Sequence, residues 1–234
     1  MPTDFTLEQL TPELPPAIGP GPSPFWPQHL VDLLLRPTRF FTDQLALGRT
    51  PYVVLVTWAL GISAAIDRID TRIMQAEIRN DPDRWKALEF LIGTWPRFWA
   101  IVLVSGLVGG AIYYWIGGWW CRVRLRWSGA ESPDKRLARL LLIYSSFVFA
   151  GPAVLALVGQ TLLYPNYLVA YQSESAFSIS VLFMVFWSLF TTYKGAMALF
   201  QVSRGRAQLW FVALPALFYF ALMGGGALLY SAAG

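Results

Sequence analysis

The sequence has very little of what enzymes commonly use for catalysis or metal binding. Its 234 residues include one cysteine, Cys121, and one histidine, His29. A single cysteine excludes an intramolecular disulfide, and these two residues cannot supply the ligands of a Cys/His zinc site. Phosphate-binding loops, dinucleotide-binding glycine motifs and zinc-protease motifs are also missing from the sequence. We therefore expect no catalytic residues, no metal and no cofactor.

Charge is scarce as well. Charged residues make up 14% of the chain and hydrophobic residues 56%, whereas a soluble domain carries roughly 25% charge. So little charge cannot cover a globule in water, and the apolar residues fall in long blocks. The sequence predicts an all-α polytopic membrane protein. Its net charge of +4 then points to orientation and anionic lipid rather than to nucleic acid.

Five stretches predict five transmembrane helices, because about 20 apolar residues cross the hydrocarbon core. They lie in a membrane domain of residues 28–234, with Thr50 as the cap and Pro51 as the first residue of the first helix. Lys194 is the one charged residue inside them, placed where its side chain can extend to the headgroups. The predicted spans are residues 50–66, 98–121, 140–163, 176–202 and 208–230.

The distribution of Lys and Arg predicts the orientation. Eleven of them fall before the first span, between the second and third spans, and between the fourth and fifth. The other side has six, all in residues 67–97, where six acidic residues balance them. Since short cytoplasmic loops collect basic residues, we expect a cytoplasmic N-terminus and an external C-terminus. The external loop 67–97 should be helical, with Asp81 as a cap and Pro82 beginning a helix.

The segment before the first span divides into two parts. Residues 1–27 contain eight of the sixteen prolines and no Lys or Arg, which predicts a disordered cytoplasmic tail. Residues 28–48 contain apolar clusters separated by Pro37. Such clusters suit helices in the cytoplasmic headgroup layer, and they suit packing against the bundle equally well.

The loops expected on the cytoplasmic side are strongly basic. Each basic residue near an anionic leaflet contributes about 1 kcal/mol of attraction, so we expect a site for lipid headgroups or a partner protein here. Orientation alone would also explain these residues. Anionic membrane lipids are the expected partners, together with a protein partner or a second copy of the chain. The predicted site consists of Arg122, Arg124, Arg126, Lys135, Arg136, Arg139, Arg204 and Arg206.

Two further features lie within the predicted spans. Pro152 frees a backbone carbonyl in the third span, which suggests an intramembrane polar site formed with Tyr144, Ser145, Ser146 and Lys194. A static bend and a lysine that reaches the headgroups are the alternative. Separately, Gly106 and Gly110 form a pair of small residues typical of close helix packing, within the bundle or between copies.

Three segments resemble the Yip family of five-span membrane proteins, particularly its bacterial branch. They are residues 34–41 (LLRPTRFF), residues 142–146 (LIYSS) followed by Pro152, and residues 187–207, which contain Lys194-Gly195 and VSRGRA. The resemblance covers residues 30–230 and implies a bacterial inner-membrane protein without an assigned enzyme activity. Eukaryotic members contact Rab GTPases and carry an Asp-Leu-Tyr-Gly-Pro element that this sequence lacks, so GTPase binding is not expected.

Together these observations favour a non-enzymatic integral membrane protein of Yip type that organises lipids or partner proteins in the cell membrane. A transporter, channel or lipid scramblase is the first alternative, and an accessory subunit of a larger membrane complex is the second. Ion-coupled transport usually needs an acidic residue or a histidine inside a span. The five predicted spans contain neither, which weighs against ion-coupled transport.

Overall fold

The computed structural model describes the backbone of residues 27–50, 52–173 and 176–233, and all regular structure in these residues is helical. The predicted tail lies outside the described residues except for Pro27. Short π-helical segments continue three of the α-helices. In chain order the elements are α1 Pro27–Leu35, α2 Pro37–Phe40, π1 Phe41–Leu45, α3 Val53–Arg79, α4 Pro82–Ile92, α5 Trp95–Ile112, π2 Tyr113–Gly117, α6 Gly118–Trp127, α7 Lys135–Leu163, α8 Tyr167–Gln172, α9 Ala176–Leu199, α10 Arg204–Gln208, π3 Leu209–Ala213 and α11 Leu214–Ala233.

Four helical stretches of the described chain are long and apolar enough to cross a membrane. They are Trp95–Trp127, Lys135–Leu163, Leu182–Leu199 and Arg204–Leu222, and they overlap the second to fifth predicted spans. The predicted first span differs from them because it is only the apolar first half of α3. From Asp67 onward this helix carries charged residues.

The prediction is wrong at the start of α3 and correct just after its end. The helix begins at Val53 after Tyr52, whose φ of 52° is left-handed. The predicted cap at Thr50 is wrong, since a left-handed residue separates Thr50 from the right-handed helix; Pro51 lies outside the described residues. At the other end, the Asp81 side chain accepts hydrogen bonds from the backbone N–H groups of Asp83 and Arg84, both at 3.2 Å. Pro82 then begins α4, which confirms that part of the prediction.

The N-terminal segment packs into the bundle. Phe40, Phe41 and Leu45 are buried in a core shared with α7 and α9. The indole N–H of Trp187 in α9 donates a 2.7 Å hydrogen bond to the carbonyl oxygen of Leu34. Of the two interpretations that the sequence left open, the structure supports packing against the bundle, because burial of these phenylalanines removes the apolar face that would otherwise enter the headgroup layer.

A second core lies at the opposite end of the bundle. It joins the middle of α3 to α4, α5, α7 and α8, and the rings of Phe98 and Tyr167 stack with centroids 4.2 Å apart. Trp95 donates its indole N–H to the carbonyl oxygen of Tyr164 at 2.8 Å. The short helix α8, which we did not predict, therefore closes this end of the bundle over the predicted external loop.

Glycines set the crossing of α3 and α5. A methyl group built on Gly61 would overlap the carbonyl oxygen of Gly106 and the amide nitrogen of Gly110. One built on Gly110 would lie 2.7 Å from the carbonyl oxygen of Thr57. Gly106 and Gly110 are therefore covered by α3 of the same chain, which is the intrabundle form of the predicted helix packing.

Candidate functional site

Three of the eight predicted basic site residues are held by their own chain. Arg124 donates from Nε and Nη2 to the carbonyl oxygen of Trp210, at 2.9 and 2.6 Å. Arg122 donates from Nε to the carbonyl oxygen of Pro133 at 2.9 Å. The guanidinium carbon of Arg139 lies 4.1 Å from the centre of the Trp115 ring. These contacts join α6 and α7 to other parts of the chain and leave less of each guanidinium for a ligand.

The other five basic residues are exposed and form what we call the basic end: Arg126, Lys135, Arg136, Arg204 and Arg206. The loops that carry them are joined, because the N–H of Ser203 donates to the carbonyl oxygen of Ser128 at 2.9 Å. Both ion pairs found in the described chain lie elsewhere. Glu131 and Asp134 lie in the same loop but pair with none of the five in the described chain, so these cations are available to anions from the surroundings.

Tryptophans lie next to the basic end. The ring centroids of Trp120 and Trp127 are 5.4 Å apart, and those of Trp127 and Trp210 are 4.4 Å apart. Trp127 remains 43% exposed. Indole rings concentrate at the membrane–water interface, where an apolar body and a polar N–H suit the headgroup region. This cluster and the basic end together have the chemistry of a membrane interface.

A groove of about 360 Å³ lies between α3, α5 and α7, and we call it the Arg136 groove. Val54, Leu107 and Trp115 line it and are each more than half exposed, so it opens to the surroundings of the bundle. Arg136, at the start of α7, supplies the charge among its described lining residues. The groove can accommodate an apolar chain that ends in an anionic group.

The predicted intramembrane polar site is not assembled as a unit. The Tyr144 ring faces Phe40, with centroids 5.3 Å apart, and Ser145 is fully buried with its hydroxyl donating to the carbonyl oxygen of Leu142. Lys194 places Nζ 5.2 Å from the centre of the Phe190 ring. Pro152 lies inside α7. Among the predicted five, Ser146 alone lines the cavity described next.

That cavity, the Arg124 cavity, has a volume of about 510 Å³ and lies between α6, α7, α9 and α11. Its polar lining consists of Arg124, Ser146, Ser188 and Thr192, together with two tyrosines, Tyr113 and Tyr219. Ser188 and Thr192 are buried. Their hydroxyls each donate at 2.7 Å to a carbonyl oxygen of α9, so their oxygens keep lone pairs for other donors.

A second cavity, the Asp67 cavity, measures about 380 Å³. Asp67 and Asp70 of α3 line it together with Gln160 of α7 and Tyr167 of α8. The Tyr167 hydroxyl donates a 2.5 Å hydrogen bond to a carboxylate oxygen of Asp70. This acidic lining was missed at the sequence level, although the repeat of isoleucines through residues 62–73 indicates that the helix continues past the predicted span.

The two cavities adjoin. Tyr113, Phe149 and Tyr219 line both of them. The polar side chains are therefore distributed along two neighbouring spaces rather than gathered at one point. In the described chain no group of three or more His, Cys, Asp or Glu side chains is placed to hold a metal ion.

Comparison with known proteins gives one match. The family model of the Yip1 domain matches residues 31–225, which includes α2 to α10, both cavities and the basic end. No curated protein and no solved structure matched the chain.

Proposed function

The chain belongs to the Yip1 domain family, and from this premise we propose that it is a non-enzymatic multi-pass membrane protein whose basic end organises anionic lipids. The observation that carries the proposal is the Arg136 groove. An apolar groove that opens sideways from a helical bundle, with one exposed arginine at its end, matches a phospholipid in both shape and charge. The acyl chain would lie along the groove and the phosphate at Arg136.

The remainder of the basic end supports the same ligand. Five exposed cations each add about 1 kcal/mol of attraction near an anionic leaflet. An arginine can also donate two parallel hydrogen bonds to one phosphate. A lipid is therefore the partner that we propose, in preference to nucleic acid, a protein partner or a second copy of the chain.

The topology that we propose has five spans, a cytoplasmic N-terminus and an external C-terminus. The first half of α3 is then the first span, and the basic end faces the cytoplasm, as the positive-inside rule favours. The membrane that we propose is the bacterial inner membrane, whose anionic lipids would meet the basic end. The second half of α3, with α4 and α8, would lie on the external side.

Native mass spectrometry of the purified protein tests the lipid site. With phosphatidylglycerol and phosphatidylcholine offered together, we expect the wild type to retain phosphatidylglycerol. Arg136→Gln should reduce the retained fraction by about fivefold, since a charge-assisted contact contributes about 1 kcal/mol near a surface. Arg79→Gln is the matched control, because Arg79 is exposed at the end of α3 that lies away from the groove.

Equal retention of the two lipids by the wild type would contradict the proposal. So would equal losses in Arg136→Gln and Arg79→Gln. Melting curves of both variants in the same detergent would show that neither substitution acts through unfolding.

A further inference from the structure

The Arg124 cavity and the Asp67 cavity together extend across most of a membrane. Arg124 lies roughly 16 Å from the shared residue Tyr113 along the helix axis, at about 1.5 Å per residue. Gln160 lies roughly 16 Å from the shared residue Phe149 by the same measure. The two distances run in opposite directions, because α6 and α7 are antiparallel neighbours. Their total is close to the hydrocarbon thickness of about 30 Å.

The Arg124 cavity opens sideways, toward the acyl chains. Trp120, Leu214 and Phe218 line it and are exposed by 44%, 38% and 61%. All three lie in candidate spans, where large apolar side chains that are exposed face lipid. A water-filled pore would instead have its mouth among polar residues at a bundle end.

The inner wall of the same cavity is polar. Ser146 of α7 and the buried Ser188 and Thr192 of α9 present hydroxyl groups there. Polar groups within a bilayer are costly unless they have polar partners. A polar wall behind an apolar, sideways mouth suits a molecule whose head is polar and whose tail stays in the bilayer.

The charges at the two ends are complementary to such a head. The guanidinium of Arg124 lies toward the basic end, and the carboxylates of Asp67 and Asp70 lie toward the other end. A phospholipid headgroup with a phosphate and an amine carries both opposite charges. The outer ends of the two adjoining cavities therefore offer opposite charges, one to the phosphate and one to the amine of the headgroup.

We propose that the two adjoining cavities form one groove along which phospholipid headgroups pass between the leaflets, so that the protein is a lipid scramblase. This activity goes beyond holding anionic lipid at the basic end, and it uses none of the five basic-end residues. Failure of lipid retention at Arg136 and failure of lipid movement through the groove are therefore separate results.

The test reconstitutes the full chain in vesicles with a trace of phosphatidylethanolamine that carries a dithionite-sensitive fluorophore on an acyl chain, so that its headgroup amine stays free. Dithionite bleaches label in the outer leaflet, so loss beyond the outer-leaflet share reports movement between leaflets. We expect the wild type to scramble the label.

Ser146→Phe fills the Arg124 cavity and should slow scrambling by about tenfold or more, where tenfold corresponds to 1.4 kcal/mol of barrier. Ser105→Phe is the matched control, because Ser105 is exposed on α5 and lines neither cavity.

A second variant preserves size and fold. Asp67→Asn removes one carboxylate from the external end, and we expect it to slow labelled phosphatidylethanolamine relative to labelled phosphatidylglycerol, since only the former has an amine. The proposal is overturned if wild-type vesicles scramble no faster than protein-free vesicles, if Ser146→Phe equals Ser105→Phe, or if Asp67→Asn leaves the ratio of the two rates unchanged. Bleaching of an enclosed soluble fluorophore at the same rate would also overturn it, because the route would then carry solutes.

Discussion

Gly61 on α3 faces the carbonyl oxygen of Gly106 on α5 so closely that no side chain fits between the two helices. Gly110 continues the contact one turn further along α5. The crossing brings the apolar first half of α3 against an apolar part of α5, and Asp67, which follows this half at the middle of α3, lines the cavity.

Gly61→Ala should destabilise the protein. The added methyl group meets backbone atoms, which cannot move aside as a flexible side chain would, and overpacking of this kind costs about 1–3 kcal/mol. For a chain of this length each 1 kcal/mol lowers the melting temperature by about 2–4 °C. Thermal unfolding in detergent measures the change.

Gly159→Ala is the control for that experiment. Gly159 also lies in a helix, but a methyl group built on it meets nothing within 4 Å. Alanine is favoured over glycine in a helix by about 1 kcal/mol, so this variant should unfold at the wild-type temperature or slightly above it. A melting temperature for Gly61→Ala as high as that of Gly159→Ala would contradict the packing described here.

Trp187→Phe should loosen the N-terminal helices. The indole of Trp187 holds α1 through its hydrogen bond to the Leu34 carbonyl oxygen, and phenylalanine keeps an aromatic ring at this position but removes the donor. Loss of one such bond costs about 1 kcal/mol. We expect faster tryptic cleavage in the segment between Arg36 and Arg49. Trp119→Phe, at an exposed indole, should leave the cleavage rate unchanged; equal rates in the two variants would refute the tether.

The sequence was sufficient where the chemistry is local. Asp81 and Pro82 are adjacent, so a cap followed by a helix start could be read directly, and the structure agrees. The low charge content likewise predicted a membrane-type helical fold, because hydrocarbon solvent excludes charge from each long helix. Gly106 and Gly110 were recognised from their spacing of four residues.

Relationships between distant helices could not be read in the same way. Gly61 is a single glycine in an apolar helix, and its partner is more than forty residues away. No pattern of small residues in the sequence therefore identifies Gly61 as a helix-packing position. Asp67 was assigned to the external loop by its charge. Only the packing of α3 against α7 places it in a cavity that Tyr113 and Tyr219 also line. The five residues of the predicted intramembrane site were separated for the same reason, since neighbours in a helix point in different directions.

Introduced cysteines test the proposed orientation. The natural cysteine, Cys121, can stay in place because it is fully buried. Leu47 and Asp83 are exposed on either side of α3. If α3 contains the first span, Asp83→Cys should react with a membrane-impermeant maleimide from outside intact cells. Leu47→Cys should react only after permeabilisation. Labelling of both from the same side would show that α3 does not cross the membrane.

The most direct test of the proposed function is the lipid composition around the protein in discs cut from its native membrane. We expect anionic lipid to be enriched in wild-type discs relative to the bulk membrane. The double variant Arg136→Gln and Arg206→Gln should lose most of that enrichment, whereas Arg72→Gln with Arg79→Gln, which removes the same charge from α3, should keep it. Wild-type discs with the composition of the bulk membrane would contradict the account.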